Sequence, residues 1–206
     1  MQRALIEMTR QVFGERSTNL APAVANLAGY VQRGGDLDGA AALHREALDR
    51  YEAAVGRWHS GTAIVGTNLA FTEALRRRLP VAESLYRVYL PVLDSVVPGS
   101  RAGISGALDF VWGLRLDGRC REAETTARTV IARLADRPSA DVESIRARRL
   151  LGECLLDLGR FQAAESLLVD AHRSLVDGFG EKNPFTVAAA ADLDTLYRRW
   201  RRRPAP

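Results

Sequence analysis

The chain has 206 residues, of which 47% are hydrophobic and 26% are charged, and its formal net charge is +4 at pH 7. This composition predicts a folded chain rather than a disordered one, and no run of 18 apolar residues predicts a transmembrane helix. The first residues mix charged and apolar side chains, which is not typical of a signal peptide, so we expect a cytoplasmic protein. Five arginines near the C-terminus account for the positive charge, because the other 24 basic side chains nearly balance the 25 acidic ones.

Apolar residues at helical spacing predict helices along the whole chain, and most of these helices are expected in pairs. The expected order is half a repeat at 1–13, repeats at about 18–56, 60–97, 101–136 and 140–179, and a capping helix at 184–203. We therefore expect about ten helices in one domain that spans 1–206.

The repeats are recognised by columns of equivalent residues that recur every 41 or 42 positions. Small residues recur in the second helix of each repeat, at Ala40, Ala82, Ala123 and Ala164. Large apolar residues recur in the first helix, at Leu27, Leu69, Phe110, Leu151 and Leu193. Self-similarity at a fixed period of this length is typical of stacked repeats. We expect the alanines to be buried where two helix backbones approach closely.

A glycine separates the two helices of a repeat, as Gly159 does between the apolar helical patterns that run from Leu155 to Leu168. Glycine can end a helix in the left-handed conformation without a Cβ clash. Repeat two departs from this pattern, because Arg77 and Arg78 stand where glycine is expected. Pro80 fits there, since it falls in the first turn of the next helix.

The unit LGRFQAAESLL (158–168) resembles a tetratricopeptide repeat, with glycine-x-aromatic at the turn and alanine on the second helix. The period near 42 and the phrases ANLA (25–28) and TNLA (67–70) resemble the longer repeat subtype of kinesin light chains, which bacterial kinase-, ATPase- and regulator-linked arrays also use. The resemblance covers about residues 4–200. It implies an all-α fold, a right-handed superhelical solenoid of antiparallel helix pairs.

No pattern in the sequence predicts catalysis or a bound cofactor. His44, His59 and His172 lack the spacing of a zinc site, and Cys120 and Cys154 are too far apart in sequence for a Cys-x-x-Cys pair. Neither a nucleophile on a strained turn nor a Walker A loop is recognisable. We expect the cysteines to be core residues rather than a disulfide. The sequence therefore predicts no enzyme activity, no cofactor and no metal.

The resemblance also implies a peptide-binding groove lined by the first helix of each repeat. The residue before the large apolar column points into such a groove, and in related repeats an asparagine there holds the peptide main chain through its carboxamide. We expect Asn26, Asn68, Asp109, Trp112 and Arg146 to lie on one continuous, partly exposed surface. Trp112 is expected to form an apolar wall, and Arg146 to meet an acidic side chain of the ligand.

The expected function is a non-catalytic scaffold that binds a protein or peptide, including another part of its own parent chain. One alternative is a regulatory repeat segment of a larger bacterial kinase, ATPase or transcription regulator. A second is contact with nucleic acid or an anionic membrane through the tail RRWRRR (198–203). Neither nucleic acid nor membrane is the expected partner, because arginines also suit the C-terminal end of a capping helix.

Overall fold

The structure, a computed structural model, describes Glu7, Gln11 and residues 20–138 and 141–201. In these ranges it contains helices and no strand. The helices are α1 (Leu20–Arg33), α2 (Leu37–Val55), α3 (Ser60–Leu75), α4 (Leu79–Val96), α5 (Arg101–Leu116), α6 (Cys120–Arg133), α7 (Val142–Asp157), α8 (Phe161–Phe179) and α9 (Pro184–Arg201). The predicted all-α class is confirmed. The predicted half repeat at 1–13 lies outside the described residues, apart from Glu7 and Gln11.

The chain divides into two compact units, unit 1 (Met1–Gly106) and unit 2 (Ala107–Pro206). In unit 1, α1 packs on α2, α2 on α3 and α3 on α4, and α1 also touches α3. In unit 2, α6 packs on α7, α7 on α8 and α8 on α9, and α7 also touches α9. A three-residue turn joins α1 to α2, α3 to α4 and α7 to α8, so each of these pairs is antiparallel. The single domain over 1–206 stays a prediction.

The turn inside a repeat has the same backbone geometry with and without glycine. At Gly159, φ is +72°, and the amide of Arg160 donates to the carbonyl of Leu155 at 2.9 Å. In repeat two Arg77 adopts φ of +62°, and the amide of Arg78 donates to the carbonyl of Glu73 at 2.9 Å. A left-handed conformation costs a non-glycine residue about 1–2 kcal/mol. Repeat two therefore keeps the turn at an energetic cost.

The four column alanines are buried, as the sequence predicts, and their small size matters. Ala164 on α8 is completely buried, and its carbonyl oxygen lies 3.4 Å from the place that a Cβ on Gly152 of α7 would occupy. A larger side chain at either position meets the backbone or the side chains of the facing helix. Close approach of two backbones explains why each repeat has alanine in this column.

Ala164→Leu is expected to lower the free energy of unfolding by about 1–3 kcal/mol, because overpacking a filled core forces the backbone and side chains to shift. Urea unfolding of the wild type and the variant measures this difference. Ala163→Leu is the matched control, since Ala163 lies next to Ala164 but is exposed. An equal loss of stability in both variants would contradict the repeat register.

Candidate functional site

A cavity of about 820 Å³ opens along the first helices of the two repeats in unit 1. Asn26 from α1 and Asn68 from α3 both line it, and both residues are exposed. Because equivalent positions of stacked repeats align, two asparagines one repeat apart lie along the same face. The structure therefore brings two of the five predicted residues together. We call this cavity, lined by α1 and α3, the groove of unit 1.

Aromatic and apolar side chains flank the asparagines in the groove of unit 1. Tyr30 follows Asn26 by one helical turn and is 51% exposed, and Phe71 follows Asn68 in the same way. The guanidinium carbon of Arg33 lies 4.4 Å from the centre of the Tyr30 ring, within the range of a cation–π contact. The groove thus combines neutral amides, two aromatic rings and one cation.

A hydrogen bond between helices fixes the spacing of the two asparagines. The hydroxyl of Thr72 on α3 lies 2.6 Å from Oε1 of Gln32 on α1, and 2.9 Å from the backbone carbonyl oxygen of Asn68. Thr72 is completely buried, and its single hydroxyl hydrogen is shared between these two acceptors. The link joins α1 to α3 beside the groove. It leaves the carboxamides of Asn26 and Asn68 on the open side.

His44 on α2 also lines the groove of unit 1, and it lies deeper than the asparagines, because only 2% of it is exposed. Its Nδ1 is buried and has no hydrogen-bond partner among the described residues. Burial lowers the pKa of His44 from 6.5 to about 4, so its ring is neutral at pH 7. The sequence gave no sign of this position at the base of a cavity.

In unit 2 the predicted residues Asp109 and Arg146 bind each other. Nη2 of Arg146 on α7 donates a hydrogen bond to Oδ1 of Asp109 on α5. Burial raises the pKa of Asp109, and Arg146 acts in the opposite direction. That Arg146 meets an acidic side chain of a ligand stays a prediction, and Asp109 already accepts a hydrogen bond from this guanidinium. Trp112 lies one turn after Asp109 and is half-buried.

Further ion pairs connect α5, α7 and α9 within unit 2. Arg115 donates to Glu153 at 2.5 Å and to Asp157 at 2.7 Å. Arg149 donates to Asp192 at 2.5 Å and lies 3.3 Å from Glu153. The pKa of Glu153 is raised to about 7, mainly because the carboxyl is buried; Asp192 also raises it, whereas Arg115 and Arg149 lower it. The charged side chains on these three helices therefore form ion pairs with one another.

The C-terminal helix uses part of its arginine cluster in contacts within unit 2. Arg199 donates to Asp157 at 2.9 Å, and Arg198 lies 3.2 Å from Asp194. The Trp200 ring stacks on Phe161, with 6.0 Å between centroids and 15° between planes. Trp200 thus covers the start of α8. Arg202 and Arg203 lie outside the described residues.

Within the described ranges, no three or more histidine, cysteine, aspartate or glutamate side chains are grouped so that they could hold a metal ion. Nor does any helix described there have the length and apolar character needed to cross a membrane. Cys120 and Cys154 are both buried free thiols, and burial raises the pKa of each, that of Cys154 to about 12. Neither thiol is therefore activated as a nucleophile at pH 7.

Residues 23–60, which include α1 and α2, match the family model of the tetratricopeptide repeat. This match covers one tetratricopeptide repeat, which lies in unit 1. No curated protein matches the sequence at a significant level. Solved structures extend the likeness beyond the first tetratricopeptide repeat, and each of them supports the fold alone.

Two solved structures illustrate this likeness of fold. BtubC (BKLC) from P. vanneervenii is 20% identical, with a TM-score of 0.74 over 89% of this chain and 74% of that chain. A protein from Podosopora anserina, described as a kinesin light chain with nearly identical TPR-like repeats, is 13% identical, with a TM-score of 0.71 over 86% of this chain and 85% of that chain. The predicted resemblance to kinesin-light-chain-like tetratricopeptide repeats is thereby confirmed.

Sequence reasoning missed the ion pairs between successive repeats of unit 2. Arg115 and Asp157 are 42 residues apart, and Arg149 and Asp192 are 43 apart. Opposite charges one repeat length apart, on the first helices of consecutive repeats, were the available signal. Searching for complementary charges between columns, rather than within one column, would have found it. The continuous surface from Asn26 through Asp109 to Arg146 stays a prediction, because it crosses from unit 1 to unit 2.

Proposed function

We propose that the protein is a non-catalytic scaffold that holds an extended peptide segment of a protein partner in the groove of unit 1. Tetratricopeptide repeats generally mediate the binding of protein partners, and they are typically non-catalytic. The partner segment belongs either to another protein or to a further part of the same parent chain. The cytoplasmic location of the protein stays a prediction from the sequence.

The observation that carries this proposal is the pair of exposed asparagines in one cavity. A carboxamide both donates and accepts hydrogen bonds, so it can pair with the N–H and C=O groups of an extended backbone. Asn26 and Asn68 are both exposed, and neither side chain takes part in a hydrogen bond recorded between described residues. Tyr30 and Phe71 offer apolar surface for side chains of the same peptide. Backbone pairing gives affinity without a sequence requirement, and the aromatic walls give selectivity.

The contrast between the two units supports placing the peptide in unit 1. The polar side chains on the first helices of unit 2 are charged and bind each other, as Arg149 does with Asp192. An incoming peptide would have to replace such bonds rather than add to them. In unit 1 the equivalent helices present neutral amides and only one cation to the cavity, Arg33. The amides of unit 1 can therefore gain hydrogen bonds on binding.

Replacing both Asn26 and Asn68 by alanine is expected to weaken peptide binding by about 5- to 150-fold. The loss corresponds to roughly 1–3 kcal/mol, since each neutral hydrogen bond contributes about 0.5–1.5 kcal/mol. Peptides are first selected from a displayed random library on the intact protein. The affinity of one selected peptide is then measured by calorimetry for the wild type and for the double variant. The folding stability of the double variant should match the wild type, because both side chains are exposed.

Gln162→Ala is the matched control, since it removes an exposed carboxamide from α8 in unit 2. It should leave the affinity of the selected peptide unchanged. Failure to select any peptide, or equal affinities for the wild type and the double variant, would refute the proposed function.

A further inference from the structure

His44 is a polar residue at a position where the other repeats bury different side chains. It follows the alanine column by four residues, and the equivalent residues are Tyr86, Ala127 and Leu168. All four of these side chains are buried. An aliphatic side chain fits this place in the fold, as Leu168 demonstrates. The fold itself therefore does not require a histidine at this position.

The histidine also lowers stability as it stands. A buried polar atom without a hydrogen bond is destabilising relative to a bonded one, and native proteins contain few such atoms. Nδ1 of His44 is one of them among the described residues. The neighbouring Arg45 does not compensate for it, because its guanidinium binds Glu73 at 2.8 Å. A buried atom without a partner at the base of a cavity indicates a hydrogen bond that a ligand completes.

The cavity above His44 suits an aromatic ring. Tyr30, Phe71 and Leu27 line it, and aromatic rings pack favourably against one another at centroid separations of 4.5–7 Å. Its volume of about 820 Å³ lies within the range of pockets that hold small organic ligands. Since Nδ1 is buried, a ligand in this cavity would reach it after the imidazole turns about its Cβ–Cγ bond, a torsion with broad minima. A short polar side chain on the peptide would end before it reaches so deeply buried a residue.

We propose that the base of the groove of unit 1 is a subsite for a tyrosine side chain of the partner peptide, whose phenol hydroxyl donates a hydrogen bond to His44. This inference rests on the proposed function, and it adds a side-chain preference to the backbone contacts of Asn26 and Asn68. The ring of the tyrosine lies between Tyr30 and Phe71. The neutral imidazole accepts the phenol proton in a hydrogen bond, without proton transfer.

The test uses three small probes with the intact protein: N-acetyl-tyrosinamide, its O-methyl derivative and N-acetyl-phenylalaninamide. Nuclear magnetic resonance follows the imidazole nitrogens of His44 during each titration. We expect the tyrosine probe to bind about 3- to 10-fold more tightly than the other two, which is the factor expected for one neutral hydrogen bond. Only the tyrosine probe should shift the His44 nitrogen resonances. In His44→Leu the three probes should bind equally.

Equal affinities of the three probes for the wild type, or unshifted His44 resonances, would overturn the subsite. Tighter binding of N-acetyl-tryptophanamide than of the tyrosine probe would overturn the choice of tyrosine. These outcomes are separate from the proposed function, which is tested by peptide selection and by the Asn26 and Asn68 variants. If His44→Leu is unstable, the His44 nitrogen resonances of the wild type still show whether the tyrosine probe contacts this residue.

Discussion

Arg76→Met is expected to lower the free energy of unfolding by about 3–5 kcal/mol, since it leaves a buried carboxylate without its main partner. Glu73 is completely buried, and Nη1 of Arg76 donates to its two oxygens at 3.1 and 2.9 Å. Arg76 also binds Asp38 on α2. Arg45 still contacts Glu73 in the variant, but half of its side chain is exposed, so it compensates only in part. Urea unfolding at pH 7 measures the change.

Arg78→Met is the matched control for this substitution. Arg78 lies 4.0 Å from Glu73, and its side chain is more than half exposed. A pair of this kind contributes about 0–1 kcal/mol, so the control should change stability by less than about 1 kcal/mol. Combining Arg76→Met with Glu73→Leu should recover most of the loss, because an apolar pair replaces the buried ion pair. A double variant no more stable than Arg76→Met would show that Glu73 is not the cause.

Acid is expected to destabilise the wild type through His44, and His44→Leu should remove that effect. The pKa of His44 is lowered to about 4 in the folded protein because the ring is buried, against 6.5 for an unperturbed histidine. The unfolded chain therefore binds the proton first as the pH falls. Preferential protonation of the unfolded chain at His44 therefore has no effect on stability above pH 6.5 and lowers stability progressively as the pH falls toward 4. The full loss is about 3 kcal/mol.

Urea unfolding at pH 7 and pH 4.5 tests this expectation. Between these two pH values, the wild type should lose about 2–3 kcal/mol more stability than His44→Leu. At pH 7 the variant should be at least as stable as the wild type, since it removes a buried atom without a partner. The equivalent Leu168 shows that leucine fits this place in a repeat. If the free energy of unfolding changes equally with pH in the two proteins, burial does not lower the pKa of His44 in the folded state.

The helices and their buried columns were predictable, because they depend on period and residue size alone. The alanine column is buried as expected, and Ala164 shows why a larger residue does not fit. The exposure of Asn26 and Asn68 in one cavity also follows from their equivalent positions in stacked repeats. These features recur at one fixed spacing, so they can be recognised in a single sequence.

The pairing of side chains between repeats was not predictable from the same columns. Arg146 reaches Asp109 across 37 positions, since long side chains span neighbouring helices at angles that a column does not describe. The lack of a partner for Nδ1 of His44 depends on every neighbour in three dimensions, so no local pattern indicates it. Arg77 shows the converse case, because a departure in sequence left the backbone of the turn unchanged.

The distinction between the two units has a functional consequence. Arg115, Arg149 and the carboxylates around them give unit 2 charges that are balanced by contacts within the unit. Asn26 and Asn68 give unit 1 polar groups that remain exposed in a cavity. On this account, unit 1 binds the partner peptide and the charged face of unit 2 serves the stability of its own helices.

Hydrogen exchange with and without a selected peptide tests the central claim most directly, because it locates binding on the intact protein without any substitution. The account predicts slower amide exchange in α1 and α3 when the peptide is bound, and unchanged exchange in α8. Slower exchange confined to unit 2, or to α4 within unit 1, would contradict the placement of the peptide in the groove that Asn26 and Asn68 line.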